Sequence, residues 1–254
     1  MKANRFTAGS DGAIAYDVAE VEQQLDDVIE LSDPLLIRFQ LNELNLEGKE
    51  KVLPTIDVLR IGIFLHEAAA MALSNGSLTE AYNLASQSQC LLVNLNLASP
   101  PKEMKPIIYA YASSSQILIG LASKRFTNLV KGLSFFNRSV NQFKDRSLLP
   151  EYLRAKAFLN LPWYFFSRKK KAKRDLNSII ARSHQKSKPF NPRIISFSYL
   201  HMARLVREEN SKTDVHSIIE LLDKAITWDP NRAAARDKAE IMKTELMREY
   251  KLKK

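Results

Sequence analysis

Hydrophobic residues recur at helical spacing along most of the chain, beginning with a stretch at about residues 14–31. Its apolar positions fall on one face of a helix: Ala15, Val18, Val21, Leu25, Val28 and Ile29. Its carboxylates would occupy the other face: Asp17, Glu22, Asp26, Asp27 and Glu30. The pattern predicts an amphipathic, acidic helix, followed by a shorter helix at about residues 34–46.

From Pro54 onward the same periodicity is divided into helix pairs. The clearest pair covers residues 55–98, and its first helix is predicted to end at residues 74–76, where the sequence is SNG. Ser77, with Glu80 three residues later, has the spacing of a capping box and predicts the start of the second helix. Small residues would let the two antiparallel helices approach closely: Ala69, Ala81 and Ala85.

Two sets of positions indicate that this pair recurs about every 44 to 47 residues. The second helices are predicted to begin near Ala81, Asn128, Ala172 and Ile218. The middle of each first helix is predicted to carry a small residue, at Ala69, Ser113, Ala157 and Ala203. Prolines, which break helices, fall between the units: Pro54, Pro100, Pro101, Pro150, Pro192 and Pro230. Pro162 is an exception and is predicted to shorten or bend its helix.

The last unit contains the sequence IIELLDKAITWDPNRAAA. A residue that precedes proline is disfavoured in the helical region, so Asp229 and Pro230 predict a turn between one helix and a terminal helix at about residues 232–251. Ala225 lies five residues before Pro230, and Leu222 lies three before Ala225. This end-of-repeat pattern resembles that of tetratricopeptide-repeat proteins. The turn at Gly76, followed four and five residues later by Glu80 and Ala81, resembles the turn between the two helices of such a repeat.

The resemblance implies an all-α fold, a right-handed α-solenoid of about four long antiparallel helix pairs with N- and C-terminal capping helices. The segments would be an acidic N-terminal cap at residues 1–53, repeats at 54–230, and a C-terminal capping helix with a basic tail at 231–254. The chain departs from the family in its period, which is about 34 residues in the family, and in lacking the Trp-Leu-Gly-Tyr signature of its first helices. Proteins of this class usually act through their surface.

Composition limits the chemistry that the chain could carry. The single cysteine, Cys90, excludes an intrachain disulfide and a multi-cysteine metal site, and no cofactor motif is found. Phosphate-binding glycine loops, glycine-flanked serines and HExxH are absent, and the histidines are scattered: His66, His184, His201 and His216. We therefore expect a non-enzymatic protein with no metal and no cofactor. No secretory signal is recognised at the N-terminus, and a cytoplasmic location is expected.

Charge is distributed unevenly along the sequence. Residues 1–100 hold 6 Lys and Arg against 14 Asp and Glu, a net charge of −8, whereas residues 101–254 hold 32 against 14, a net charge of +18. The basic part is expected to meet something acidic, which could be nucleic acid, an anionic membrane surface, a protein or the chain's own N-terminal segment. The longest uncharged stretch, residues 106–123, contains four serines and is predicted to be a buried helix rather than a membrane span.

The densest basic cluster is predicted to bind the acidic partner: Arg168, Lys169, Lys170, Lys171, Lys173 and Arg174. The alternative interpretations are contact with phosphates, a nuclear import signal in a eukaryotic host, and a solvated loop with no partner. Just upstream, residues 163–166 have the sequence WYFF, and consecutive aromatic residues point in every direction around a helix, so one or two exposed rings are expected and the rest should be buried.

The first helices of a solenoid line its concave face, where partner segments usually bind. Candidate groove residues on these helices are Tyr109, Ser113, Gln116, Tyr152, Arg154, Lys156, Tyr199, Arg204 and Arg207. The leading hypothesis is an adaptor or assembly scaffold that binds a protein partner through this groove and the basic cluster. The alternative is a helical-repeat protein that binds nucleic acid through its basic C-terminal half. Attachment to a membrane is not favoured, because no basic amphipathic helix is strong enough, and the oligomeric state is left open.

Overall fold

The structure, a computed structural model, describes residues 6–8, 17–31, 33–46, 51–184, 190–209, 215–228 and 233–250. Within these residues the chain forms eleven helices and two three-residue strands. In chain order the elements are β1 Phe6–Ala8, α1 Val18–Gln24, α2 Pro34–Leu46, β2 Lys51–Leu53, α3 Thr55–Ser74, α4 Leu78–Leu97, α5 Lys105–Ser123, α6 Phe126–Phe143, α7 Leu149–Asn160, α8 Arg168–Ser183, α9 Pro192–Glu209, α10 Val215–Trp228 and α11 Ala233–Glu249. The predicted helical class is confirmed, and β1 and β2 add one short parallel pair.

The helix boundaries lie close to those predicted from the hydrophobic pattern. α4, α6, α8 and α10 each begin within four residues of the predicted position. α3 ends at Ser74, as predicted, and Gly76 follows with a φ of 80°, a conformation that favours glycine. α7 ends at Asn160, two residues before Pro162. The predicted turn at residues 229–231 lies outside the described residues, between the end of α10 and the start of α11.

The predicted capping box at the start of α4 is wrong. Ser77 is the N-cap residue of α4, but among the described residues its side chain makes no capping hydrogen bond, since its ψ of 69° lies outside the extended region. A capping box forms instead at α1. There the Asp17 side chain caps the helix, and the Glu20 carboxylate accepts a hydrogen bond from the Asp17 backbone N–H at 3.2 Å.

The first helix is shorter than predicted, and its acidic face is partly buried. The apolar positions from Val18 to Ile29 are buried as expected, while Ala15 lies outside the described residues. Glu22, Asp26 and Glu30 are also buried, which corrects the prediction that they face outward. For Asp26 and Glu30 the reason is that the chain leaves the helix after Gln24 and turns, with Glu30 at a φ of 58°. Glu22 lies within α1 and is bonded to Ser147.

The chain divides into two compact units, an N-terminal unit, Met1–Leu153, and a C-terminal unit, Arg154–Lys254. In the N-terminal unit each helix from α3 to α6 packs against the next, and α3 also contacts α5. In the C-terminal unit the same sequential packing runs from α8 to α11, and α9 also contacts α11. The predicted limits of cap and repeats stay predictions.

Close helix packing in the N-terminal unit is centred on α5, which corresponds to the longest uncharged stretch and is buried as predicted. A Cβ atom added at Gly120 would lie 2.6 Å from Leu129 Cδ2 and 2.9 Å from the Leu129 backbone nitrogen. Glycine therefore lets the backbones of α5 and α6 approach. In the described part of the chain, no helix has both the length and the apolar character required to cross a membrane.

Serine hydroxyls link neighbouring helices in both units. In the N-terminal unit Ser88 Oγ on α4 donates to the Gly62 carbonyl on α3 at 2.7 Å. In the C-terminal unit Ser196 Oγ on α9 donates to the Ala225 carbonyl on α10 at 2.6 Å. Both serines are buried, so each hydroxyl is satisfied by a carbonyl of the facing helix.

Candidate functional site

A serine, a histidine and a glutamate form a buried series of polar contacts inside the N-terminal unit. His66 Nε2 lies 2.7 Å from Ser114 Oγ, and His66 Nδ1 lies 3.3 Å from Glu67 Oε1. This order of groups is the one that activates a serine in hydrolases. All three residues are buried, however, and the Tyr111 ring packs edge-on against the His66 ring with a centroid distance of 5.0 Å. Since the serine is buried within the packed helices, the series fits an interior polar network better than a substrate site.

A second buried polar contact joins α1 to the start of α7. Ser147 Oγ donates to Glu22 Oε1 at 2.6 Å. Burial raises the pKa of Glu22 to about 8, the Ser147 hydrogen bond lowers it, and the nearby Asp26 and Asp17 add to the increase. Glu22 is thus mostly protonated at neutral pH.

Tyr152, which the sequence places in the groove, belongs to the same interior. Burial raises its pKa well above the ordinary value, and the charge and hydrogen bond of Glu30 add to the increase. Its ring is fully enclosed. A group held neutral inside the N-terminal unit cannot present its hydroxyl to a partner protein.

The described residues show no arrangement suited to a metal ion, since no group of three or more His, Cys, Asp or Glu is placed to hold one. Cys90 is exposed on α4 with a free thiol. Asn94 Nδ2 lies 3.8 Å from Cys90 Sγ, one helical turn away.

Most of the other predicted groove residues are also buried. Ser113 Oγ donates to the Tyr109 carbonyl at 2.6 Å, and the Gln116 side chain is bonded to Gln89. Tyr199 is enclosed beside Trp228, with a ring-centroid distance of 5.8 Å. These three and Tyr152 therefore contribute to packing rather than to an exposed face, because neighbouring helices cover the sides on which sequence periodicity placed them. Tyr109 and Lys156 are half-buried.

Arg154 forms a buried ion pair instead of lining a groove. Its Nε and Nη2 donate to the two carboxylate oxygens of Asp175 on α8, each at 2.8 Å. The pair is bidentate, which is the strongest geometry for arginine and carboxylate. Arg154 therefore holds α7 against α8 and is not accessible to a partner.

Two of the predicted groove residues, Arg204 and Arg207, line an open groove of about 590 Å³ within the C-terminal unit. The groove lies between α9 and α11. Its other lining residues, which the sequence-based prediction did not include, are Glu208, Lys238, Ile241, Met242 and Glu245. Ile241 is 60% exposed, and this apolar residue on the polar terminal helix is the one sequence signal that could have indicated the groove.

The predicted basic cluster occupies the first two turns of α8, and the fold engages four of its six members. Arg168 Nη1 donates to the Leu159 carbonyl at 2.7 Å, and Lys171 Nζ lies 5.5 Å from the centre of the Phe158 ring. Lys169 pairs with Glu208 at 3.1 Å, and Lys173 pairs with Glu209 at 2.6 Å. Lys170 and Arg174, the remaining two members, are exposed.

The aromatic residues that precede this cluster are more exposed than predicted. Trp163 is 74% exposed, Tyr164 46% and Phe166 88%, so three rings face solvent instead of one or two. The cause is that α7 ends at Asn160 and α8 begins at Arg168, which leaves residues 161–167 outside any helix. We call Trp163, Tyr164 and Phe166 the aromatic turn.

Comparison with protein-family models, with curated proteins and with solved structures finds no match to this chain. The resemblance to tetratricopeptide repeats consequently stays a prediction.

Proposed function

We propose that this chain is a non-enzymatic interaction protein, an adaptor or assembly scaffold, which holds an acidic segment of a partner protein in the groove between α9 and α11. The observation that carries the proposal is the composition of that groove. Arg204, Arg207 and Lys238 line the groove together with the apolar Ile241 and Met242. Its two carboxylates already have cationic partners, since Glu208 pairs with Lys169 and Glu245 with Arg207. An amphipathic segment with carboxylates beside an apolar face is complementary to such a lining.

The glutamates that pair with Arg207 can be replaced by carboxylates of a partner. Arg207 pairs with Glu245 at 3.8 Å and with Glu249 at 3.0 Å, and these side chains are largely exposed. Exposed ion pairs contribute only about 0–1 kcal/mol. A partner carboxylate can therefore replace either glutamate at little cost, while the exposed Arg204 offers a further cation.

Apolar contact would provide the affinity, and the cations would fix the position of the bound segment along the groove. Ile241 is largely exposed, and Met242 lies beside it in the groove. Covering an apolar side chain of this size contributes about 1.5–3 kcal/mol when burial is complete. A single leucine or phenylalanine of the partner over Ile241 would thus anchor the segment.

We further infer that α3/α4, α5/α6, α7/α8 and α9/α10 are the four helix pairs of a right-handed solenoid that resembles tetratricopeptide repeats. In this interpretation α1, α2 and α11 are the caps. The inference is supported by the burial of the predicted small residues in the first helix of each pair: Ala69, Ser113, Ala157 and Ala203.

The test uses a photo-crosslinking amino acid at position 241 and an extract of the source organism treated with nuclease. We expect a covalent adduct with a protein, and we expect Arg204→Glu with Lys238→Glu to abolish it. The matched control is Lys131→Glu with Arg138→Glu on α6, which changes the net charge equally and alters two exposed residues of the other unit. An adduct that both double variants retain would contradict the proposal, as would an adduct with nucleic acid.

A further inference from the structure

The aromatic turn forms one continuous apolar protrusion. The Trp163 ring lies 6.1 Å from the Tyr164 ring at an interplanar angle of 74°, and 6.2 Å from the Phe166 ring at 75°. Trp163 therefore contacts the other two rings edge to face, and all three rings have surfaces that face solvent. Exposed apolar groups gathered in this way indicate a contact surface.

A cationic helix face begins directly after the aromatic turn. Lys170, Lys171 and Arg174 are exposed. Lys170 and Arg174 are four residues apart, so they lie one helical turn apart on the same face of α8. The only acidic residue of α8 is Asp175, which is buried against Arg154. The outward face of this part of α8 thus carries positive charge with no carboxylate of its own.

The position of these cations opposes the helix dipole. The amino end of a helix carries partial positive charge and favours acidic side chains, yet the first turn of α8 contains none. Glu208 and Glu209 neutralise Lys169 and Lys173. An external anionic surface would provide the same compensation for the cations that face outward.

We propose that the aromatic turn and the cationic face of α8 dock together onto an anionic phospholipid surface. The rings enter the boundary between headgroups and acyl chains, and Lys170 and Arg174 contact lipid phosphates. Tryptophan and tyrosine favour this boundary because each ring is apolar with one polar group. The site and its partner differ from those of the α9/α11 groove, and the proposal replaces the expectation that membrane attachment is not favoured.

A lipid surface fits these residues better than the other polyanions. Proteins that bind single-stranded nucleic acid do so along a positively charged groove that follows its backbone, and the aromatic turn does not line the α9/α11 groove. A peptide segment binds most often in a concave groove, and the aromatic turn lines neither the α9/α11 groove nor the cavity of about 220 Å³ beside α3. Phe166, the most exposed of the rings, has no polar group to serve a hydrogen-bonding partner.

Trp163 can report its own insertion. The chain has two tryptophans, and Trp228 packs against Tyr199 and His184. Trp228→Phe keeps a ring at that position and leaves Trp163 as the single emitter. With vesicles of phosphatidylcholine and about 30% phosphatidylserine at physiological salt, we expect a blue shift of the emission and quenching by brominated acyl chains. With phosphatidylcholine alone we expect much weaker binding.

Vesicle sedimentation then separates the roles of the rings and the charges. Lys170→Gln with Arg174→Gln should weaken binding roughly 25-fold, since each cation near an anionic surface contributes about fivefold. Trp163→Ala with Phe166→Ala should weaken it by about tenfold or more. The matched controls lie on α6 and should bind as the wild type does: Lys131→Gln with Arg138→Gln for charge, and Phe126→Ala with Phe135→Ala for exposed rings.

Three results would overturn this proposal: absence of an emission shift, equal binding to neutral and anionic vesicles, or wild-type binding by the aromatic double variant. Binding of single-stranded nucleic acid that depends on Trp163 and Phe166, without vesicle binding, would also overturn it. Circular dichroism of each variant checks folding. The crosslink at position 241 is measured separately on the aromatic double variant. Loss of vesicle binding by the aromatic double variant, with that crosslink retained, would support lipid docking by this surface and leave the groove proposal standing.

Discussion

The two compact units bury carboxylates in different ways. Glu22 of the N-terminal unit is held by the neutral Ser147 hydroxyl and has its pKa raised by burial to about 8. Asp175 of the C-terminal unit receives two hydrogen bonds from Arg154, each at 2.8 Å. A buried carboxyl must either take up a proton or acquire a cation, and this chain uses both solutions.

The units also differ in how their helices approach. All seven glycines of the chain fall within residues 1–153. The C-terminal unit, which has none, packs around alanines such as Ala155 and Ala203, both fully enclosed. Two helix backbones approach more closely where a glycine lies at their contact than where an alanine does, but the glycine contact leaves no space for a side chain.

The comparison of buried carboxylates is tested most strongly at Glu22. Because its folded pKa lies above its ordinary value of 4.5, it favours the folded state below pH 4.5, and this contribution is lost as pH rises toward 8. A shift of this size corresponds to roughly 5 kcal/mol. Relative to Glu22→Gln, the wild type should therefore lose about that much stability between about pH 4 and pH 9.

Urea unfolding followed by circular dichroism measures this difference, because both tryptophans lie in the C-terminal unit and would not report on Glu22. The control is Glu80→Gln, which removes an exposed carboxylate of α4 in the same unit and should leave the pH dependence unchanged. Parallel stability curves for the wild type and Glu22→Gln would show that Glu22 is ionised at neutral pH.

Removal of one partner of the buried ion pair should destabilise the C-terminal unit, whereas Glu22→Gln should remove a pH-dependent loss of stability from the N-terminal unit. Arg154→Met leaves Asp175 buried without its cation and should destabilise the unit by about 3–5 kcal/mol. Adding Asp175→Leu removes the buried charge and should restore much of the loss. Thermal unfolding of the single and double variants measures both effects, and equal instability of the two would refute the interpretation.

A more accessible ion pair, between Lys173 of α8 and Glu209, provides a reference for the size of this effect. Lys173→Met breaks the contact with Glu209, and the two side chains are 42% and 28% exposed. The loss should be about 0–1 kcal/mol. A larger loss than that of Arg154→Met would reverse the ranking of the two pairs.

The smallest effect concerns the glycine contacts. Gly120→Ala should destabilise the N-terminal unit by about 1–2 kcal/mol, because overpacking outweighs the better helix propensity of alanine. Gly62→Ala is the matched control, since the three atoms nearest to a Cβ there belong to the Leu91 and Leu92 side chains and none is a backbone atom. Equal melting temperatures for both variants would show that Leu129 adjusts as easily.

Local sequence patterns predicted the helices well because the determinants are close in sequence. Gly76 and Pro162 mark real helix ends, and the apolar positions of the first stretch are buried. Glu22 was missed because its burial depends on where the chain leaves α1 and on the distant Ser147. Periodicity gives the face of a residue, but it does not show which neighbouring helix covers that face.

The candidate site was predicted only in part for the same reason. Arg204 and Arg207 were identified from α9 alone, but the residues that complete their groove come from α11. The aromatic residues 163–166 were expected to be mostly buried because a helix was assumed to continue through them. Once Pro162 ends that helix, the rings belong to a turn.

The aromatic turn also affects the integrity of the chain. A protease that cuts after large aromatic residues meets Trp163, Tyr164 and Phe166 outside any helix and exposed to solvent. Cleavage requires the chain to enter the protease as an extended strand, which a turn permits more readily than a helix. One cut there would release a fragment that starts with the cationic helix α8 and carries the whole α9/α11 groove.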